Sequence, residues 1–330
     1  MPDAVGYFPY LNIWPFVRGL PEDIERVVAA PRALVEFAQT GRLDVAILPV
    51  VDVPTLADRY EPLGDLGLAV AGPVWSVLLL AQRPVGALTG ARICATPESS
   101  VSVRLLTVLL RDRYGVWDWR WSPTPEEAEA WLVIGDTALA IYLERSPAVR
   151  ACENLVTPAP VHAGAQEPGR PEVRKLKDLD VSSAGNRCVE ILHNGSHRLP
   201  NPEWLRDRTF QLPDGRMTAG EAVVRAQAFP FMYDLGDEWT RWQGRPFVFA
   251  RWVVRRDRPA AWRRAWYERL SAALEAYLPQ LYGGGPVDGL RPWQIEYLRR
   301  FEYRLSPAAL DGWERFYRME VPSLRSQVSV

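Results

Sequence analysis

Excess charge of either sign is missing: 39 basic side chains stand against 40 acidic ones. The chain as a whole therefore projects no field that would draw it to nucleic acid or an anionic membrane, and any anionic ligand must be held by local geometry. Cysteine is scarce. Cys94, Cys152 and Cys188 are odd in number and far apart, which excludes a disulfide framework and a CxxC metal or redox motif. Lysine is nearly absent, with Lys175 and Lys177 beside 37 arginines, so a Schiff-base lysine is excluded elsewhere in the chain. No apolar run approaches the roughly 18 residues of a membrane span. The opening MPDAVGYFPYLNIWPF has neither a basic n-region nor an unbroken apolar core, and the expectation is a soluble, cytoplasmic protein. No HExxH, GxGxxG or GxxxxGK[ST] motif occurs, so neither a metal site nor a nucleotide loop is expected. The GGGP tract at 283–286 follows a helical stretch and reads as a turn.

What is present suffices for two cores: 330 residues, 48% of them hydrophobic. A short strand at Ala4–Gly6 leads into a polar-aromatic loop carrying Asn12. Pro31 opens a helix with Leu34, Val35, Phe37 and Ala38 on its apolar side, and Gly41 ends it. Leu43–Val50 is a continuous apolar strand, so a parallel βαβ unit is expected. Residues 74–82 and 92–95 read as further strands. Thr96-Pro97 then turns into serines 99, 100 and 102, followed by a helix with Leu105, Leu106, Val108, Leu109 and Leu110 that closes at Gly115. Another apolar run starts at Trp131 and breaks at Gly135 and Asp136. Residues 144–229 change character, with scattered prolines and glycines and all three histidines (His162, His193, His197), and read as an insertion. Residues 246–254 form a strong strand. Helices are expected at 260–282, 292–303 and onward from the Ser306-Pro307 pair.

The serine-rich helix start carries the most chemical information. A helix N-terminus offers unpaired N–H groups and the positive end of the dipole, and hydroxyls at Ser99, Ser100 and Ser102 add donors for a small carboxylate. A plain helix cap would use the same residues. Asn12 on a loop after a strand, Ser76 on an apolar strand and Asp136 after Ile134-Gly135 all stand where an α/β sheet places ligand groups. Singly, each is as compatible with a satisfied structural polar group.

Taken in order, YLNIWPF (10–16), GRLDVAILPV (41–50), GPVWSVLLLAQ (72–82), ESSVSVRLL (98–106), LVIGDTAL (132–139), YDLGDEW (233–239) and GRPFVFARW (244–252) resemble the chorismate dehydratases of the futalosine route to menaquinone. YLRRFEYRLSPAALDGWERF (297–316) resembles that family's C-terminal helices. The resemblance covers about 1–140 and 230–330. Two departures stand out: Val101 occupies the place of a family threonine in the serine-rich helix start, and roughly 90 residues separate the IGD and DLG blocks, usually joined by a short link.

The resemblance implies an α/β, two-lobed, type II periplasmic-binding-protein-like fold with the ligand cleft between the lobes. Lobe one would comprise 1–83 plus 246–330 and lobe two 84–245, with the insertion at about 144–229 elaborating the surface of lobe two. The activity implied is a hydro-lyase, eliminating water from chorismate to give 3-[(1-carboxyvinyl)oxy]benzoate, with no cofactor and with a small dicarboxylate as partner. Asn12 and Ser76 become the catalytic candidates and Ser99, Ser100, Ser102 and Asp136 the substrate-binding ones. Asp44, Glu98, Asp136 and Asp234 are the core acids to consider as a base, but a carboxylate facing a dianion adds like charge. The substrate's own enolpyruvyl carboxylate is the alternative base. Two other readings share the fold: a 1,4-dihydroxy-6-naphthoate synthase, from which an SPCPND-like opening is missing, and a non-catalytic solute-binding protein, for which a signal peptide or lipobox cysteine is not seen.

Overall fold

The computed structural model describes residues 2–146, 190–192, 209–212, 215–287 and 289–327. His162, His193, His197, Lys175 and Lys177 lie outside the described residues.

Two sheets form the frame. The first has the order β14-β4-β13-β3-β1-β2-β9, built from β1 (Ala4–Tyr7), β2 (Glu25–Val28), β3 (Val45–Pro49), β4 (Tyr60–Val70), β9 (Glu190–Leu192), β13 (Phe247–Arg255) and β14 (Phe301–Arg304). The second has the order β12-β5-β8-β6-β7, from β5 (Val77–Ala81), β6 (Ala91–Ala95), β7 (Trp119–Ser122), β8 (Ala130–Ile134) and β12 (Phe231–Asp234). A hairpin of β10 (Thr209–Leu212) and β11 (Gly215–Thr218) forms a separate two-stranded sheet. The expected βαβ unit is present: β1 pairs in parallel with β2 and β3, and the helix Pro31–Gln39 packs on β1 and β3. In that helix proline stands at the first position and Gly41 follows at φ 72°.

Continuous apolar strands are buried on both faces. Along β5 and β8, Leu79, Ala81, Ala130 and Leu132 join the main core, while Leu78, Leu80, Trp131 and Val133 join a second core on the sheet's other face. That second core is closed by the helices Gly135–Arg145 and Ala219–Ala226, through Ala138, Ile141, Ala222 and Ala226. Thr218 caps the latter helix in a box with Glu221.

Sheet membership moves the first of the two expected boundaries. β5 hydrogen-bonds β8 and β12, so the first crossing between lobes lies at residues 71–76, ahead of the expected boundary after residue 83. The second crossing, between the helix Leu235–Gln243 and β13, falls at 244–246. Nor is 144–229 one appendage of lobe two: β9 extends the first sheet by pairing with β2, while Met217, Ala222, Ala226 and Phe229 complete the core of the second lobe.

Three local expectations also change. The run from Trp131 is a strand only to Ile134 and continues as the helix Gly135–Arg145. The expected helix 292–303 stops at Leu298, because Phe301 and Glu302 pair with Val70 and Ala69 and bury alternate side chains. The eleven-residue β4 holds Pro62, Gly64 and Gly67, whose strand-weakening character hid it in the sequence.

The long C-terminal helix Pro307–Gln327, capped by Ser306 Oγ accepting from Ala309 N at 3.2 Å, packs on β13 and reaches the helix Ser100–Val108 of the other lobe. There Arg104 pairs with Glu320 at 2.9 Å, and Arg111 donates to the Met319 carbonyl at 2.8 Å. Gly312 lets this helix lie on the second crossing: a Cβ there would sit 2.2 Å from the Pro246 carbonyl oxygen. Gly312→Ala is therefore expected to lower folding stability by about 1–3 kcal/mol, measured by urea unfolding; an unchanged midpoint would show that the helix can lift off the crossing freely.

Candidate active site

Between the sheets lies a cavity with about 500 Å³ of atom-free space, part of it open to solvent. Asn12, Ser76, Ser99 and Ser102 line it together with Tyr10 and an apolar wall that includes Phe8, Leu68, Val77, Val101, Phe249 and Phe301. Among the described residues no charged side chain lines it. Small-molecule sites likewise combine apolar walls with a few convergent polar groups.

The polar groups arrive on three different elements. Asn12 sits in the tight turn Leu11–Ile13 after β1, and its Oδ1 is buried without a hydrogen-bond partner. Ser76 closes the first crossing, just before β5, and its Oγ accepts from the Tyr297 hydroxyl at 2.9 Å. Tyr297 stands on the helix Pro292–Leu298 with no exposure. Burial raises its phenol well above the ordinary range, even with Ser76 as a hydrogen-bond partner. It remains a neutral donor at any working pH. Sequence reading missed it, because an aromatic on a helix face next to Leu298 and Phe301 looks like core packing.

The serines divide. Ser99 is the N-cap of the helix Ser100–Val108: its Oγ accepts from Ser102 N at 3.1 Å and donates to Ser102 Oγ at 3.0 Å. Both line the cavity, and the Ser102 proton is the one this pairing leaves for a ligand. Ser100 turns away. Its hydroxyl donates to Asp52 of the first lobe, and it borders a separate depression with Arg32, Arg104 and Glu320. Burial raises the Asp52 carboxyl above its ordinary value, with Ser100 and Arg104 opposing that shift.

None of the four core acids is among the residues lining the cavity. Asp44 holds the first strand, accepting from Ala4 N at 2.9 Å and from Arg258 at 2.6 Å. Glu98 accepts from the Tyr10 hydroxyl at 3.4 Å. Asp136 is buried and accepts from Leu11 N at 3.4 Å, so it joins the two lobes next to Asn12. Its neighbour Gly135 has φ 62°, and a Cβ there would stand 2.8 Å from the Tyr10 ring.

Asp234 fixes the crossing itself. Its carboxylate accepts from Val74 N at 3.0 Å, Trp75 N at 2.6 Å, Gly236 N at 3.0 Å and Asp237 N at 3.2 Å. Trp75 is the one non-glycine residue at positive φ (67°) among the described residues. Its ring stacks on Tyr142 of lobe two at 4.9 Å and lies under the Arg300 guanidinium of lobe one at 3.7 Å. A bulky residue in the left-handed region persists only where its surroundings over-determine it.

The chain and its fold have relatives. A family model described as menaquinone biosynthesis matches residues 4–151 and 213–321. It leaves 152–212 unmatched, a narrower gap than the expected insertion. Protein AF1704 from Archaeoglobus fulgidus is 15% identical, with a TM-score of 0.51 over 97% of each chain. The aliphatic sulphonate binding protein SsuA from Escherichia coli is 14% identical, with a TM-score of 0.46 over 99% of this chain and 88% of that one. The Candida albicans CA3427 product, described as having the generic periplasmic binding protein fold, is 9% identical, with a TM-score of 0.45 over 97% of this chain and 90% of that one. The two sheets and the two crossings between them give the two-lobed α/β architecture expected from the sequence. No helix of the described residues is long and apolar enough to cross a membrane, and these residues hold no cluster of three or more metal-ligating side chains.

Burial pushes the Asp234 carboxyl up to about 6 from 3.8, even with its N–H partners. A carboxyl raised in the folded state contributes stability that is full below its unfolded value and is lost as pH rises through the folded one. Relative to Asp234→Asn, the parent should lose up to about 3 kcal/mol of stability as pH rises from 3.8 through about 6. Urea unfolding of both proteins across that interval checks it; a constant difference would mean the carboxyl keeps its ordinary value.

Proposed function

Since the chain belongs to the menaquinone-biosynthesis family, we propose that it is a chorismate dehydratase acting in the cytoplasm. The observation that carries the reading is the uncharged cavity in which Asn12, Ser76, Ser99 and Ser102 converge on an otherwise apolar wall. The reaction breaks the C3–H and C4–O bonds of chorismate, forms the ring double bond and releases water, leaving 3-[(1-carboxyvinyl)oxy]benzoate. Aromatisation supplies the driving force. The protein has to orient a dianion and stabilise a departing hydroxide, which suits preorganised neutral donors in a closed site.

Ser102 and the adjoining helix N-terminus would hold a carboxylate, with Ser99 orienting the Ser102 hydroxyl. Asn12 and Ser76 would face the reacting ring carbons. The base would be the substrate's enolpyruvyl carboxylate, folded back over the C3 hydrogen through a six-membered arrangement. The positions of the four core acids, outside the cavity lining, favour this over an enzymic carboxylate. A carboxylate about 4 Å from one of the substrate's would oppose binding by about 4 kcal/mol at an effective dielectric constant of about 20.

Purified protein incubated with chorismate, with the aromatic product followed by absorbance and mass, tests the reading. Binding of chorismate without turnover would instead identify a solute-binding protein. Asn12→Ala and Ser76→Ala should each lower turnover on the order of 100-fold; activity within about threefold of the parent in both would remove them from the chemistry.

The serines should separate. Ser102→Ala is expected to raise KM on the order of tenfold through loss of a charge-assisted hydrogen bond, whereas Ser100→Ala should leave it within about threefold. Equal effects would place the carboxylate elsewhere.

A further inference from the structure

Tyr297 stands behind two of the polar residues of the cavity, Asn12 and Ser76, without belonging to its lining. Asn12 Oδ1 is an acceptor buried without a hydrogen-bond partner. The Tyr297 hydroxyl donates to Ser76 Oγ at 2.9 Å. The phenol oxygen has one proton, so this contact has a direction: Ser76 accepts from Tyr297 and keeps its own proton to give. The remaining acceptor in its reach is the Val74 carbonyl at a long 3.4 Å, so a ligand oxygen competes well for it.

We propose that Tyr297 is a positioning residue that makes Ser76 a hydrogen-bond donor toward one ligand hydroxyl, for which the unpartnered Asn12 Oδ1 is the matching acceptor. The inference rests on the dehydratase reading for the identity of that group, the C4 hydroxyl of chorismate. A hydroxyl held this way donates to Asn12 Oδ1 and accepts from Ser76. As the C4–O bond breaks, charge grows on the oxygen and the Ser76 bond strengthens, while the Asn12 bond fixes the orientation. The proton removed from C3 and the departing hydroxide together leave as water.

The phenol has to be neutral and immobile for this. Tyr297 is fully buried, its ring lies against Phe301 at 5.2 Å and Trp75 at 6.4 Å, and Asp136 and Asp234 both act to disfavour the phenolate. Tyr297→Phe keeps those ring contacts and removes one oxygen.

The test is a double-mutant cycle of Tyr297→Phe and Ser76→Ala on the full chain, read in two ways. In chorismate turnover, Tyr297→Phe should lower kcat on the order of 10- to 100-fold with KM within about threefold, and should add less than about threefold once Ser76 is alanine. A kcat within about threefold of the parent, or the same loss in both backgrounds, overturns the assignment. In thermal unfolding without ligand, the two single substitutions should lower Tm by more in sum than the double does, because they break one hydrogen bond. Additive Tm shifts overturn the bond whatever the substrate is. A parent that does not convert chorismate, combined with non-additive Tm shifts, would reject the dehydratase reading while leaving the Tyr297–Ser76 pairing in place.

Discussion

The left-handed turn at Trp75 is the constraint on which the rest of the site depends. An indole-bearing residue at φ 67° is costly in an isolated chain, on the order of 1–2 kcal/mol, and here it is held from three sides. Asp234 takes both N–H groups of the turn, Tyr142 stacks on one side of the ring and Arg300 caps it. The same turn carries the chain from the first sheet to the second and ends at Ser76. Strain, lobe crossing and the delivery of a polar group to the cavity are thus one local event. The acid that holds it comes from β12, the antiparallel edge strand beside β5, so the return crossing stabilises the outgoing one.

A second consequence concerns charge. The chain is rich in arginine, yet among the described residues the cavity is lined by hydroxyls, one amide and hydrocarbon, while Arg104 pairs with Asp52 and Glu320 between the lobes. Neutral donors and helix ends cost less desolvation than buried guanidinium groups and lock a bound anion less tightly. Under the proposed reaction this matters, because the reacting group is a hydroxyl whose charge appears only as its bond breaks. A strongly cationic pocket would stabilise the dianionic ground state as much as the transition state.

Much of this could be read from the sequence where local rules dominate. The helix Pro31–Gln39 is bracketed by its proline and Gly41, Ser99 announces a cap, and Ser306-Pro307 starts the last helix. Strands buried on both faces stood out as unbroken apolar runs. What stayed hidden depends on partners far away in the chain. β4 is held together by β13 and β14 across register shifts, in spite of its proline and glycines. β14 breaks a helical pattern because the edge of β4 is open to it. Tyr297 meets Ser76 across 221 residues, and no spacing encodes that. Ser100 looked equivalent to its neighbours, yet one step along a helix turns a side chain by about 100°, enough to send its hydroxyl to Asp52 instead of the cavity.

The C-terminal helix adds something that two crossings alone would not. It is anchored on β13 of the first lobe, and through Glu320 and the Met319 carbonyl it grips Arg104 and Arg111 of the second. Two strands at the back of a cleft allow it to swing open; a strap at a third point ties the swing to release of an ion pair. The Arg104 side chain is 28% exposed and Glu320 only 5%, so one end of the pair is wet and screened by salt while the other is sheltered. Salt therefore weakens this third tie between the lobes from its exposed end.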